Sequence, residues 1–170
     1  MMEYSEFSAS ILSDLPKEGH IACTSPSNIA LVKYWGKRPV QLPENASISF
    51  TLDNCKTTTH LTYKRKEDTK NDFDFELFFE GKPKPEFKPK IQNFFERIEG
   101  YIPFLKHYIF TIETSNTFPH SSGIASSASG MSALAYCLML LEKEINPTIT
   151  DSQLQKKASF LARLGSGSAC

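Results

Sequence analysis

A run of small and hydroxyl-bearing residues, Pro119-His120-Ser121-Ser122-Gly123-Ile124-Ala125-Ser126-Ser127-Ala128-Ser129-Gly130, passes directly into an apolar stretch carrying Met131, Leu134, Ala135, Leu138 and Leu141. The spacing predicts a loop followed by an apolar helix that ends near Glu142. Glycine and serine let backbone N–H groups approach an anion closely, and a helix N-terminus adds positive potential there. Serine hydroxyls can hydrogen-bond phosphate oxygens or coordinate an accompanying Mg²⁺. Neither GxxxxGK[ST] nor GxGxxG is present, so the two commonest phosphate loops are excluded. On composition alone, a plain Ser/Gly loop with an N-cap accounts for the run better than a phosphate site.

Around this segment the chain reads as strands first, then strand–helix alternation, which means mixed α+β. Ile21 to Ser25, Ala46 to Leu52, Thr57 to Lys64, Asp72 to Phe79 and Tyr108 to Thr114 are β-branched or alternate apolar with polar residues. The charged stretch Lys66 to Asn71 is expected to be a hairpin tip, and Glu80-Gly81-Lys82-Pro83 a turn. Pro89 to Ile98 places Ile91, Phe94, Phe95 and Ile98 at i, i+3, i+4 and i+7, the pattern of an amphipathic helix. Asn146-Pro147-Thr148 breaks the apolar helix, and Thr150 or Asp151 can cap another reaching Arg163, with Leu154, Ala158 and Leu161 on one face. Residues 1–19 are polar and irregular, a lead-in to a domain that occupies 20–170.

Composition narrows the function classes. The chain is 40% hydrophobic with 13 Phe, enough for a packed core, and its 19 basic residues match its 19 acidic ones. That balance argues against a nucleic-acid coat or a polybasic membrane anchor, while leaving room for a small anionic substrate. No apolar run reaches membrane-spanning length, and the N-terminus lacks the basic start and apolar core of a secretory signal. Cys23, Cys55, Cys137 and Cys170 lie far apart with no CxxC pair, which fits reduced thiols in a cytoplasm. The four histidines are equally scattered, so no metal-ligand set of protein side chains is expected.

Two further segments can carry chemistry. In Ser25 to Arg38, the cations Lys33, Lys37 and Arg38 and the phenol of Tyr34 crowd around Trp35, the only tryptophan. They can meet a diphosphate or carboxylate, or equally form a solvated basic edge with Trp35 as a core anchor. The preceding Ile29-Ala30-Leu31-Val32 suggests that the cations emerge from a buried element. The other segment, Gly165-Ser166-Gly167-Ser168-Ala169-Cys170, follows a helix and offers hydroxyls and backbone donors, as an anion-binding turn does. A linker fits the same composition. A glycine-serine run usually starts something, so truncation within this turn is expected.

Taken together, these segments resemble one family of the GHMP kinase superfamily, the diphosphomevalonate decarboxylases. Asn28-Ile29-Ala30 with Lys33-Tyr34-Trp35-Gly36-Lys37-Arg38 is similar to that family's N-terminal signature. Phe118-Pro119 and Gly123 to Ala128 resemble its phosphate loop, Gly165 to Cys170 its substrate-diphosphate turn, and Asn45 to Ser49 an early strand. The resemblance implies a ribosomal-S5-domain-2-like N-terminal domain, a mixed sheet packed by helices, with the C-terminal GHMP domain missing. It implies ATP and Mg²⁺ as cofactors, a homodimer, and the conversion of mevalonate 5-diphosphate to isopentenyl diphosphate by phosphorylation and decarboxylation. By position it implies that Lys33, Tyr34, Lys37, Ser166 and Ser168 hold the substrate, and that Gly123, Ser126 and Ser127 cradle the ATP phosphates. Trp35 would shape the pocket wall.

Two departures from the family qualify the expectation. The phosphate loop here reads His120-Ser121-Ser122 where the family has small residues after Pro-Thr, and His120 is expected to be solvated rather than a base. The family's catalytic aspartate and the arginine after its diphosphate turn fall beyond Cys170, so no catalytic residue is assigned and the chain alone is expected not to turn over. The competing readings are a related GHMP enzyme acting on phosphomevalonate or mevalonate, and a non-catalytic nucleotide- or metabolite-binding fragment.

Overall fold

A computed structural model describes residues 7, 14–33, 35–39, 41–67, 72–120 and 122–169. Seven strands are present among them: β1 (Glu18–Val32), β2 (Lys37–Arg38), β3 (Leu42–Pro43), β4 (Ile48–Arg65), β5 (Asp74–Phe79), β6 (Lys82–Pro83) and β7 (Tyr108–Asn116). Three α-helices follow the same chain: α1 (Lys88–Ile98), α2 (Ser126–Ile145) and α3 (Asp151–Gly165). Five strands form a mixed sheet in the order β1-β4-β7-β5-β6, and β2 and β3 form a separate ribbon.

The sheet departs from the sequence reading in two places. The expected strands at Ala46 to Leu52 and Thr57 to Lys64 are one strand, β4, which stays paired with β1 through a register shift between Pro26 and Ser27. The bulge absorbs Asp53, Asn54 and Cys55 without ending the ladder. Nor is the charged segment after β4 a hairpin tip. β4 pairs antiparallel with β7, and β5 runs parallel to β7, so β4 and β5 flank the same strand and never meet. Residues 68–71 of that segment lie outside the described set. The turn after β5 does form: Glu80 (φ 51°) and Gly81 (φ 74°) are both left-handed, as a two-residue hairpin turn requires.

All three helices cover one face. α2 lies on β1 and β4, and α3 packs against α2 and α1. Phe95 of α1 meets Phe73, Phe75 and Phe110 edge-on, with ring centroids 5.6, 5.2 and 6.0 Å apart. Ile91, Phe94 and Ile98 complete the buried stripe that the spacing predicted. Thr150 caps α3 in a full capping box, its hydroxyl accepting from Gln153 N–H at 3.3 Å while Thr150 N–H donates to Gln153 Oε1 at 3.0 Å. The opposite face of the sheet shows His20, His60, Thr62 and Glu113 to solvent, an ordinary arrangement for a largely antiparallel sheet. No helix among the described residues is long and apolar enough to cross a membrane.

Candidate functional site

The start of α2 fixes the site. Ala125 immediately precedes the helix in the left-handed conformation (φ 51°) and offers no side-chain cap. Gly123, two residues earlier, is also left-handed at φ 82°, where glycine carries no Cβ penalty. Among the described residues no side chain caps the first amides of this 20-residue helix, a concentration of positive potential and donors.

Buried hydroxyls hold this loop from behind. Thr57 Oγ1 lies 2.6 Å from Ser129 Oγ and donates to Asn116 Oδ1 at 2.8 Å, and Ser129 donates to the Ser126 carbonyl at 3.2 Å. Ser27 donates to the Ile124 carbonyl. β1 thus holds the loop directly through Ser27, and β4 holds the first turn of α2 through Thr57, itself bonded to Asn116 of β7, which explains how a Ser/Gly-rich segment holds one shape.

The terminal turn meets the same place. Gly165 ends α3 so close to α2 that a Cβ there would sit 2.7 Å from Met131 Sδ and 3.0 Å from Phe94 Cδ2, so a larger residue would have to displace the Met131 and Phe94 side chains. The turn that follows sets Ser166 Oγ 3.5 Å from Ser127 Oγ and 3.5 Å from Ser168 Oγ. Asn28 Nδ2 donates to the Ser168 carbonyl at 3.0 Å, tying the turn to β1. Arg97 Nη1 donates to the Leu164 carbonyl at 3.0 Å, tying the end of α3 to α1.

In front of the loop lies a cavity of about 370 Å³, walled by β5, β7, α1 and the first turns of α2. Its polar groups are Lys90, Thr114, Asn116, His120, Ser126 and Ser127, set among Leu77, Phe79, Phe87, Ile91 and Met131. His120 packs edge-on against Phe79 at 5.2 Å and tilted against Phe87 at 5.5 Å. It stays exposed to solvent, as expected of a loop histidine, while these ring contacts hold it at the cavity mouth. Lys90 was not singled out from the sequence. Partial desolvation of the ammonium against the cavity wall, and secondarily the charge of Lys37, holds it below the ordinary lysine range, although the residue as a whole stays exposed to solvent.

The predicted residues fall into two groups. Ser126, Ser127, Ser166 and Ser168 converge, and Gly123 shapes the loop beside them. Lys37, on β2, comes close enough to Lys90 to act on its charge, and it lines a shallow depression with Arg38, Gln41 and Arg97. Lys33 stands exposed beyond the end of β1, its carbonyl accepting from Asn45 Nδ2 at 3.2 Å. Tyr34 and Cys170 lie outside the described residues. Trp35 is 88% exposed, so it neither anchors the core nor walls the cavity. Among the described residues no three His, Cys, Asp or Glu side chains are grouped so as to hold a metal ion.

The family model for the diphosphomevalonate decarboxylase-like N-terminal domain matches residues 25–170, through every segment just described. The chain belongs to this family. A diphosphomevalonate decarboxylase from Bos taurus is 36% identical over 167 residues, a match that takes in 88% of this chain and 38% of that protein. The solved mevalonate diphosphate decarboxylase of Enterococcus faecalis, described with mevalonate diphosphate-mediated ATP binding, superimposes with a TM-score of 0.68 at 30% identity, over 90% of this chain and 44% of that one. A further solved relative, named MDDEF and holding MVAPP, AMPPCP and magnesium, gives a TM-score of 0.66 at 31% identity, over 90% and 43% of the two chains. The mixed sheet under three helices is the N-terminal domain of a diphosphomevalonate decarboxylase-like protein, and the chain spans well under half the length of these relatives.

Proposed function

We propose that this domain supplies the phosphate-holding half of an ATP-dependent decarboxylase acting on mevalonate 5-diphosphate. The observation that carries the reading is the meeting of two hydroxyl-bearing turns, remote in sequence, at Ser127 and Ser166, beside an uncapped helix start. Each turn suits one anion. The Gly123–Ser127 loop presents helix amides and hydroxyls to the ATP phosphates, and the Ser166–Ser168 turn presents hydroxyls to the substrate diphosphate. Lys37 and Lys90 add compact charges, with Lys33 and Tyr34 placed at the same signature by the family resemblance.

The donor set fits a nucleotide-borne Mg²⁺. Serine hydroxyls at the helix start are hard oxygen ligands, and with no acidic cluster among the described residues the phosphates would complete the coordination. Bound ATP would supply the phosphoryl group that makes the tertiary 3-hydroxyl a leaving group, so that phosphate and CO₂ depart to give isopentenyl diphosphate. The residues described here bind and orient: they neutralise two polyphosphates held side by side and keep the acceptor oxygen near the γ-phosphate. The adenine ring suits the apolar cavity, where Thr114 and Asn116 offer polar atoms and the Phe79–Phe87–His120 cluster a platform.

The intact enzyme is expected to work in the cytoplasm as a homodimer. The 170 residues alone are expected to bind AMPPCP or inorganic pyrophosphate without releasing CO₂. Calorimetry with each anion, alongside a CO₂-release assay, tests this. Absence of binding to either would remove the phosphate-holding role, and clear turnover would remove the dependence on further polypeptide. In an intact enzyme carrying this domain, product analysis with mevalonate, its 5-phosphate and its 5-diphosphate separates the substrate from its two relatives.

A further inference from the structure

The sheet brings together two histidines that stand 40 residues apart in the sequence. His20 on β1 faces Thr62 on β4, and His60 faces Ala22, so the two imidazoles are diagonal neighbours on the face away from the helices. Their rings stack with centroids 5.3 Å apart and planes inclined at 28°. His20 Nε2 and His60 Nδ1 lie 3.3 Å apart. Both residues are exposed. Neither takes part in the phosphate site, whose serines stand at the start of α2 and the end of α3 on the helix side of the sheet.

That spacing selects a coordination geometry. Two imidazole nitrogens bound to one Zn²⁺ at about 2.0–2.1 Å, at the tetrahedral angle, stand about 3.3–3.4 Å apart. A square-planar ion with the same bond lengths would need them about 2.8–3.0 Å apart. An N–H···N bond accounts for the contact without a metal, but 3.3 Å lies beyond the ordinary range of about 2.7–3.2 Å. Little is therefore given up when a metal takes the place of the shared proton.

The surroundings suit a cation. The pair opens into a cavity of about 360 Å³ lined by Glu80 and Glu113, the latter directly opposite His60 on β7, and no lysine or arginine is among the described lining residues. The carboxylates offset the charge of a divalent ion. The hydroxyls of Thr62, Thr111 and Ser115 line the same cavity and can serve as outer partners for metal-bound water. Among the described residues no third His, Cys, Asp or Glu joins the pair in a ligating position, so water completes the tetrahedron.

We infer that His20 Nε2 and His60 Nδ1 form a two-histidine site for a tetrahedral divalent transition ion, namely Zn²⁺, on the solvent face of the sheet. With only two protein ligands the site exchanges its metal, unlike a closed four-ligand structural zinc. The bound ion cross-links β1 to β4 and stabilises the folded chain by mass action. The site is independent of the substrate assigned above and of a nucleotide-borne Mg²⁺, which takes oxygen ligands.

Zinc chloride titrated into the reduced 170-residue protein tests this, read by calorimetry and by NMR of the imidazole nitrogens, with magnesium chloride as the comparison. Losing a ligand should cost at least what losing an outer partner does, so His20→Gln and His60→Gln should each weaken zinc binding by about tenfold or more. His107→Gln should leave it unchanged. In the unaltered protein, metal-bound shifts are expected at His20 Nε2 and His60 Nδ1 and at no nitrogen of His107 or His120. This signature needs no variant, so it stands even if a variant fails to fold. Undiminished zinc affinity in folded His20→Gln and His60→Gln overturns the inference, as does zinc binding that leaves both rings unshifted, which would assign the metal to thiols. Magnesium displacing zinc at equal concentration also overturns it, reducing the site to diffuse attraction by Glu80 and Glu113.

Discussion

Asn28 on the first strand donates to the carbonyl of Ser168 near the far end of the sequence, Nδ2 to O at 3.0 Å. This bond joins the signature segment to the diphosphate turn and sets the height of Ser166 and Ser168 against the start of α2. Asn28→Ala should weaken pyrophosphate binding by about 1–2 kcal/mol, the size of one hydrogen bond and the disorder its loss permits. Asn28→Asp should cost more, because it sets a carboxylate oxygen against a carbonyl oxygen. Calorimetric titration of pyrophosphate into each variant checks the order.

Ser168 is expected to contact the substrate diphosphate through its hydroxyl. Ser168→Ala in an intact enzyme bearing this domain should raise KM for mevalonate diphosphate by roughly tenfold or more, from the ~1.5–3 kcal/mol of a hydrogen bond to a charged group. An unchanged KM would take Ser168 out of the site.

Lys90 gives the site a pH dependence. Its folded-state pKa is lowered below 10.5, first by partial desolvation and then by Lys37, so the free protein loses this charge at lower pH than an ordinary lysine would. An anion favours the protonated form. Affinity for AMPPCP should therefore be fully present below the lowered pKa and decline as pH rises through it, before 10.5 is reached. Lys90→Arg, which stays charged, should flatten that decline; Lys90→Met should weaken binding at every pH and remove the Lys90 part of the profile.

Ala125 sits in a conformation that costs a residue with a Cβ about 1–2 kcal/mol. Ala125→Gly removes that strain but adds freedom to the unfolded chain, worth about 0.5–1 kcal/mol. A net gain of about 0.5 kcal/mol is expected, seen as a higher urea midpoint at unchanged slope. A loss would mean that the Ala125 methyl packs usefully against the core.

Behind α2 and α3, Lys157 Nζ lies 2.7 Å from Glu142 Oε1 with both side chains over 90% buried, and also donates to the Tyr101 carbonyl at 2.9 Å. Among the described residues Glu142 Oε2 has no hydrogen-bond partner. Burial holds Glu142 above the ordinary carboxylate range and Lys157 below the lysine range, in each case outweighing the attraction between them. A raised carboxyl pKa stabilises the fold below the unfolded value and loses that contribution as pH climbs through the folded one. The Glu142 contribution should thus decline above about pH 4.5. Replacing both residues by Met should be neutral or stabilising by about 1–4 kcal/mol at pH 7 and abolish that decline, whereas Lys157→Met alone should cost about 3–5 kcal/mol. Urea unfolding at pH 4 and pH 7 distinguishes these outcomes.

Helices were the most legible part of the sequence. Ile91, Phe94, Phe95 and Ile98 repeat at a spacing that only a helix satisfies, and Thr150 with Gln153 marks a start by its own hydrogen bonds. Strand partners were less legible, because alternation reports which face is buried and not which strand lies alongside. Phe73, Phe75 and Leu77 read identically whether β5 pairs with β4 or with β7. Likewise, the serines of the site announced themselves by clustering, while Lys90 is one of two lysines on α1 and is singled out only by what it faces. Trp35 misled for a related reason: a large aromatic is usually buried, and nothing local shows that this one stays exposed.

The threading of the sheet bears on how such a chain is made. β7 occupies the middle of the sheet yet is synthesised after every other strand, and β5 hydrogen-bonds only to β6 and β7. Until Tyr108 to Asn116 leaves the ribosome, the outer edge of β4 and the inner edge of β5 both stand open, separated by a gap one strand wide. Distant pairings of this kind close slowly, and open edges invite the wrong strand. A nascent chain stalled anywhere between Lys66 and His107 would therefore be an aggregation risk, and the last of the described strands to appear is the one that joins β4 to β5.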